Sequence, residues 1–371
     1  MPQPEPRHAH EADLDDRPAP APVHYAEQSL LGALLLDPHH LDDIGTLEPD
    51  HFSDHGHGEL FRALRKTPAP GPHGTSPVWL NTVLDTARPH APGLTAPYLH
   101  TLVQACPRPS HAAAYARMIR ADHARRSLRS HAQHLAQTAM DTTLPHHVQA
   151  TVRQADALAQ FLDDLSGRFA PHPGSLPRIP PPVPARNTNE DALDEERLLI
   201  ATATAHPGEA SQMRWLLPED FAHALHATLW QGLTALRQRG DPVDPITLLW
   251  EAQHRGLLPH GITPTQLLAL LSTPVASPEH WGERILERAL LARAQAVAAR
   301  ITAYCDDPAN SPHQLITSSR RALADLTALR SRWHQATHPA VPRTARPART
   351  PAPPRAGPPP RTAPLTVRTP R

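Results

Sequence analysis

Lysine is almost absent from this 371-residue chain. Lys66 stands alone within a Lys+Arg total of 36, and Arg65 precedes it. A Walker-A loop needs Gly-Lys-Ser/Thr, so that ATP-binding signature is excluded. Schiff-base chemistry is excluded everywhere but Lys66. Cysteine is nearly as scarce: Cys106 and Cys305 lie far apart, which rules out a disulfide framework and a cysteine zinc site. The 16 glycines are dispersed, and neither a phosphate-cradling glycine loop nor a Gly-x-Ser-x-Gly elbow is present. The longest clean apolar run is Leu30 to Leu36, far short of the roughly 18 residues that argue a membrane span. The acidic, proline-rich opening residues have neither signal-peptide nor transit-peptide character. These absences predict a cytoplasmic protein that is not an enzyme and holds no cofactor or metal. Charge is balanced, 36 basic against 36 acidic residues, which argues against a phosphate-binding surface over the whole chain. The Ala/Arg/Pro/His bias resembles the codon pressure of a GC-rich genome, so the 27 histidines carry little weight as a count.

Proline, by contrast, is abundant at 46 residues, and it divides the chain. Residues 1–22 are acidic and proline-rich, 170–188 form a proline-rich linker, and 336–371 form a Pro/Arg-rich tail with no acid. Such segments cannot bury enough apolar surface to fold, and the composition predicts disorder there. Two blocks remain, 23–169 and 189–335. Their similar size prompts a search for duplication.

The duplication is legible. Ala26-Glu27-Gln28-Ser29-Leu30-Leu31 lines up with Asp194-Glu195-Glu196-Arg197-Leu198-Leu199. Pro49-Asp50-His51-Phe52 matches Pro218-Glu219-Asp220-Phe221. His57, Leu60, Phe61 and Leu64 match His226, Leu229, Trp230 and Leu233. Pro77, Val78, Thr82 and Leu84 match Pro242, Val243, Thr247 and Leu249, at an offset that stays between 165 and 169. His57 and His226, present in both copies, read as buried positioning residues.

Both blocks read as all-α. Helix starts are written as an N-cap followed by proline: Ser76-Pro77, Asp244-Pro245, Thr263-Pro264, Ser277-Pro278 and Ser311-Pro312. Each block ends in two long helical segments, which predicts a globular helical head followed by a helical hairpin. The stripes are Leu128, Ala132, Leu135 and Ala139, then Val148, Val152, Ala155, Ala159 and Leu162, in block one. In block two they are Leu286, Leu290, Val297, Ile301 and Tyr304, then Leu315, Ser319, Ala322, Leu326, Leu329 and Trp333. They either close each hairpin on itself or dock a second hairpin.

Several candidate chemistries are weak. His51, His55 and His57 with Glu59 have metal-ligand spacing, but the aligned block-two positions do not repeat it. Cys106 has no basic partner in a defined arrangement. The arginines at 117, 120, 125, 126 and 129 are candidate nucleic-acid contacts, as is the arginine tail. A solvated hairpin surface is the competing account of Arg117, Arg120, Arg125, Arg126 and Arg129.

These residues resemble a known family. Ala26 to Leu34 resembles the opening of the N-terminal domain of the DnaB-type replicative helicase. Asp50-His51-Phe52 and His57-x-x-Leu60-Phe61 follow with the family's spacing. Asp241 to Leu248 resembles its "Pro-Val/Ile-Asp-x-x-Thr-Leu" helix start, and Ile285 to Arg293 its hairpin start. The resemblance assigns family-motif structural roles to Glu27, Leu30, Leu31, Phe52, His57 and Phe61, and to Phe221, His226, Trp230, Asp244 and Thr247. It implies a head-plus-hairpin fold whose hairpins pair between subunits in a collar that contacts primase. It therefore implies a non-catalytic replication-associated interaction module, without the ATPase motor, that binds replicative helicase or primase or self-associates through its hairpins. An intrachain pairing of the two hairpins would be a covalent mimic of the family's dimer. A nucleic-acid-binding accessory protein is the alternative. In block one Trp79 stands where the alignment places Asp244, and in block two Ile200-Ala201-Thr202-Ala203 replaces the usual Gly-Ala-Leu-Leu.

Overall fold

The computed structural model describes residues 20–70, 76–169, 190–258 and 262–338. The structure is all-α, with no strand among the described residues. The expected disorder of the N-terminus, linker and tail falls almost wholly outside these ranges.

Head one contains α1 (Pro22–Leu36), α2 (His55–Lys66), α3 (Pro77–Ala87) and α4 (Ala96–Ala105). It leads into the hairpin of α5 (Ala112–Met140) and α6 (His147–Arg168). Head two contains α7 (Glu190–Ala205), α8 (Pro207–Ala210), α9 (Ala224–Arg239), α10 (Pro245–His254) and α11 (Pro264–Leu271). It leads into α12 (Pro278–Asp306) and α13 (Pro312–Thr337). The outer helix ends thus pass slightly beyond 23 and 335.

Every cap-plus-proline signal marks a helix start. Ser76, Thr263, Ser277 and Ser311 each accept the backbone N–H three residues on, and Asp244 accepts those of Ile246 and Thr247. This geometry corrects the alignment: Ser76, not Trp79, plays the part of Asp244. Trp79 sits inside α3, its indole N–H donating to Pro68 O at 2.9 Å.

In each head one helix is wrapped by the others. Leu30, Leu31, Ala33, Leu34 and Leu35 of α1 are buried among Phe52, Leu60, Phe61, Leu84 and Leu102. Leu199, Ile200 and Ala203 of α7 sit against Phe221, Leu229, Trp230 and Leu248. Gly32 is required by a close approach: a β-carbon there would collide with the carbonyl of Leu102 on α4. We expect Gly32→Ala to cost about 1–3 kcal/mol, as overpacking does, read as a lower urea midpoint.

The four long helices share one core. Leu128, Leu135, Val152, Leu162, Leu286, Leu290, Val297, Ile301, Leu326, Leu329 and Trp333 are all buried in a single cluster. The stripes therefore dock hairpin on hairpin. One position is corrected: Ala159 is exposed and Leu158 takes its place, because the α6 stripe steps by three and four through Leu158, Leu162 and Leu165.

Candidate functional site

The hairpin pair is the structural feature that joins the two halves. Helix α5 lies against α6 and α12, and α13 lies against α12 and α6. The direction follows from the cross-links. Gln295, midway along α12, donates to Ala139 O at the end of α5 at 3.1 Å. Arg129 of α5 donates to Cys305 O at the end of α12, also at 3.1 Å. Gln295 and Arg129 are equivalent positions, as are Ala139 and Cys305, so the two contacts are related by a pseudo-two-fold axis. The helices pair antiparallel, and the tip of each hairpin reaches the base of the other. The heads are therefore held at opposite ends of one bundle. On the other flank Arg320 meets Asp163 at 2.5 Å and Ser166 at 3.0 Å, and Arg330 meets Asp156.

Four of the five hairpin arginines are spent inside this architecture. Arg125 threads into the tip of the second hairpin. Its guanidinium donates to the carbonyls of Cys305 (3.1 Å), Asp307 (2.5 Å), Pro308 (3.2 Å) and Asn310 (2.6 Å). Those carbonyls close the C-terminal end of α12, where unpaired C=O groups and the helix dipole favour a cation. Arg129 adds an ion pair to Asp306 at 2.6 Å. Arg120 donates to Ile44 O, and Arg126 to Asp122 and His51 O, locking head one to its hairpin. Arg117 faces solvent.

Each head is pinned by a buried glutamate. Glu27 accepts Ser53 N at 2.5 Å and Asp54 N at 3.4 Å, and its Oε2 lies 2.7 Å from His57 Nδ1. Glu196 repeats this with Ala222 N at 2.5 Å, His223 N at 3.3 Å and His226 Nδ1 at 2.8 Å. The alignment had paired Glu27 with Glu195. The structure moves it by one residue, since Glu195 faces α12 and binds Arg284 and Arg288. Two adjacent glutamates are indistinguishable by identity alone; only the carboxylate that reaches the donors at the start of the next helix can be the equivalent. Asp244 and Thr247 form a reciprocal cap, Asp244 N donating to Thr247 Oγ1 at 2.9 Å.

The histidines weighed for metal binding are separated. His51 Nδ1 accepts Glu48 N, His55 contacts His90 O, and Glu59 pairs with Arg62. Among the described residues one other trio, His24, Asp54 and His57, brings ligand-type atoms within 4.8 Å. Both nitrogens of His57 are engaged there, by Glu27 and by the Tyr98 hydroxyl at 2.7 Å. Burial pushes the Cys305 thiol up to about 11 and raises that of Cys106, which suits packing rather than nucleophilic roles. No helix among the described residues is long and apolar enough to cross a membrane.

The inter-hairpin contacts of Gln295, Arg320, Arg330, Asp156 and Asp163 were not anticipated. A sequence signal existed: these side chains flank the apolar stripes, where partner helices meet charges.

No solved structure matches the chain. A family model, the DnaB-like helicase N terminal domain, matches residues 20–121 and again 188–285, one segment in each half. Each match covers a head and the start of its hairpin. With two such segments folded as head plus hairpin, the chain belongs to the family of the DnaB-like helicase N terminal domain.

Proposed function

We propose that the protein is a non-catalytic replication adaptor, a self-contained pair of collar-type domains that binds replicative helicase or primase through its heads. The observation that supports this most is the intrachain antiparallel pairing of the hairpins. The apolar stripes of the hairpins are already filled from within, and the heads offer exposed apolar side chains of their own. Both heads present an apolar side chain at the second residue of the same helix: Val78 on α3 is 75% exposed and Ile246 on α10 is 63% exposed. Trp250, one turn on from Ile246, is 61% exposed. Ile246 and Trp250, four residues apart on one helix face, together offer the kind of exposed apolar and aromatic pair that can anchor a protein partner.

The test is capture from nuclease-treated lysate with the full chain as bait. Wild type should recover helicase or primase, and Trp250→Asp combined with Ile246→Asp should lose them while leaving the helical signal intact. Recovery of neither by the wild type would sink the reading. The alternative, a nucleic-acid accessory, is weakened by the inward use of Arg120, Arg125, Arg126 and Arg129. It rests on Arg117 and on the arginine tail, which lies outside the described residues.

A further inference from the structure

The two halves of the chain can be compared position by position, and one of the charged positions at which they differ lies at the end of the same short turn in each head. In head two, Asp220 ends a short 3-10 turn, Pro218–Asp220. Its carboxylate accepts Leu217 N at 2.8 Å and takes both terminal nitrogens of Arg332, at 2.5 and 3.0 Å. In head one the same turn, Pro49–His51, ends in His51, whose Nδ1 accepts Glu48 N at 3.1 Å. The capping role is kept while the carboxylate is gone.

The arginine is kept as well. Asp156 faces Arg330 and Ser166 faces Arg320, and one shift carries Asp156 onto Arg320 and Ser166 onto Arg330. The same shift carries Arg168 onto Arg332. Among the described residues Arg168 has no ion-pair partner. It lines a cavity of about 390 Å³ together with His51, Arg120, His123, Gly45 and Leu165.

Besides Thr46, the polar lining is basic, and no acid lines the cavity. The rings of His51 and His123 lie 4.4 Å apart, and His123 Nδ1 is buried with no hydrogen-bond partner. Each nearby acid is taken or turned away. Glu48 pairs with Arg65, Asp50 is exposed and faces Arg62, and Asp122 pairs with Arg126. Burial holds both histidines below their usual range, helped by Arg168 at His51 and by His51, Arg126 and Arg168 at His123, which falls to about 4.

We propose that this cavity is an oxyanion site, taking the phosphate-sized tetrahedral group of a small phosphorylated ligand where head two carries its own Asp220 carboxylate. Arg168 supplies the unneutralised charge. Arg120, held through one nitrogen by Ile44 O and without an ion-pair partner among the described residues, keeps its other N–H groups for a second contact, and the His51 and His123 rings supply N–H donors. An anion there favours the protonated imidazoles, so binding takes up protons and strengthens as pH falls from 8 to 6. The charged groups that face the two rings are Glu48, Asp50, Asp122, Arg120, Arg126 and Arg168.

Sulfate is the probe, because its own charge is constant over this range. The thermal midpoint of the full chain is followed in sodium sulfate and in sodium chloride at matched ionic strength. The wild-type midpoint should rise with sulfate beyond chloride, more at pH 6 than at pH 8. Arg168→Gln should weaken sulfate about tenfold or more, the worth of one hydrogen bond to a charged group. His51→Asp rebuilds in head one the pair that Asp220 makes with Arg332. It should lose sulfate by at least the same factor while its midpoint without sulfate is unchanged or higher, which separates ligand loss from misfolding. Equal shifts in sulfate and chloride, no shift in wild type, or undiminished shifts in both variants would each overturn the proposal.

Discussion

Replacing Glu27 by glutamine should unfold head one far more readily than any surface change. The side chain keeps its shape but loses its charge, and its surroundings offer donors only: Ser53 N, Asp54 N and His57 Nδ1. An amide must turn its NH2 toward one of them. Buried hydrogen bonds to a charged group contribute about 1.5–3 kcal/mol each, and with three donors disturbed we expect Glu27→Gln to cost about 3 kcal/mol or more. Glu196→Gln should repeat the loss in head two, and urea melts of both variants followed by circular dichroism measure it. The pH dependence has a definite sign. Burial alone would push the Glu27 carboxyl up, but the hydrogen bonds from His57 and Ser53 outweigh it and hold it below its usual 4.5. A carboxyl depressed in the folded state stabilises fully above its unfolded value. Its contribution is lost as pH falls below about 4.5 and through the lower folded value. Wild type should therefore weaken on acidification in that window, and Glu27→Gln should lack the part of that slope due to this carboxyl.

Arg125→Leu should be the most damaging single change in the bundle. Leucine is the residue at the equivalent place in the second hairpin, Leu291, so the substitution makes the halves more alike and still removes four hydrogen bonds. The carbonyls of Asp307, Pro308 and Asn310 then lose their cation, and that of Cys305 keeps only Arg129. Hydrogen bonds to charged groups contribute about 1.5–3 kcal/mol each but share their cost here, so we expect a loss of about 3 kcal/mol or more. Arg117→Ala, on the solvent side of the same helix, should stay within about 0.5 kcal/mol. Equal midpoints for the two variants in urea would refute the capping role of Arg125.

Most of the fold was legible, for local reasons. Ser-Pro, Thr-Pro and Asp-Pro pairs state where helices begin, because the side-chain oxygen and the missing N–H act within one turn. The hairpin stripes were legible because burial repeats every three or four residues. What the stripes met was not, since a stripe that closes one hairpin reads the same as one that docks a second. The five arginines spread around much of α5 and gave no hint that Arg125 alone reaches four carbonyls nearly half the chain away. The exchange of Asp220 for His51 was visible in the alignment, but its meaning needed Arg168 and Arg332 in space.

The pairing of α5 with α12 within one chain has an evolutionary corollary. In a two-fold homodimer each substitution is made twice, and it must be tolerated in both places at once. Joining the copies on one polypeptide lifts that constraint. Arg125 can stand without a second arginine at Leu291, and His51 can occupy one head while Asp220 occupies the other. Each half has become a background against which the other can specialise, and the sites where equivalent residues disagree are a map of where that freedom has been used.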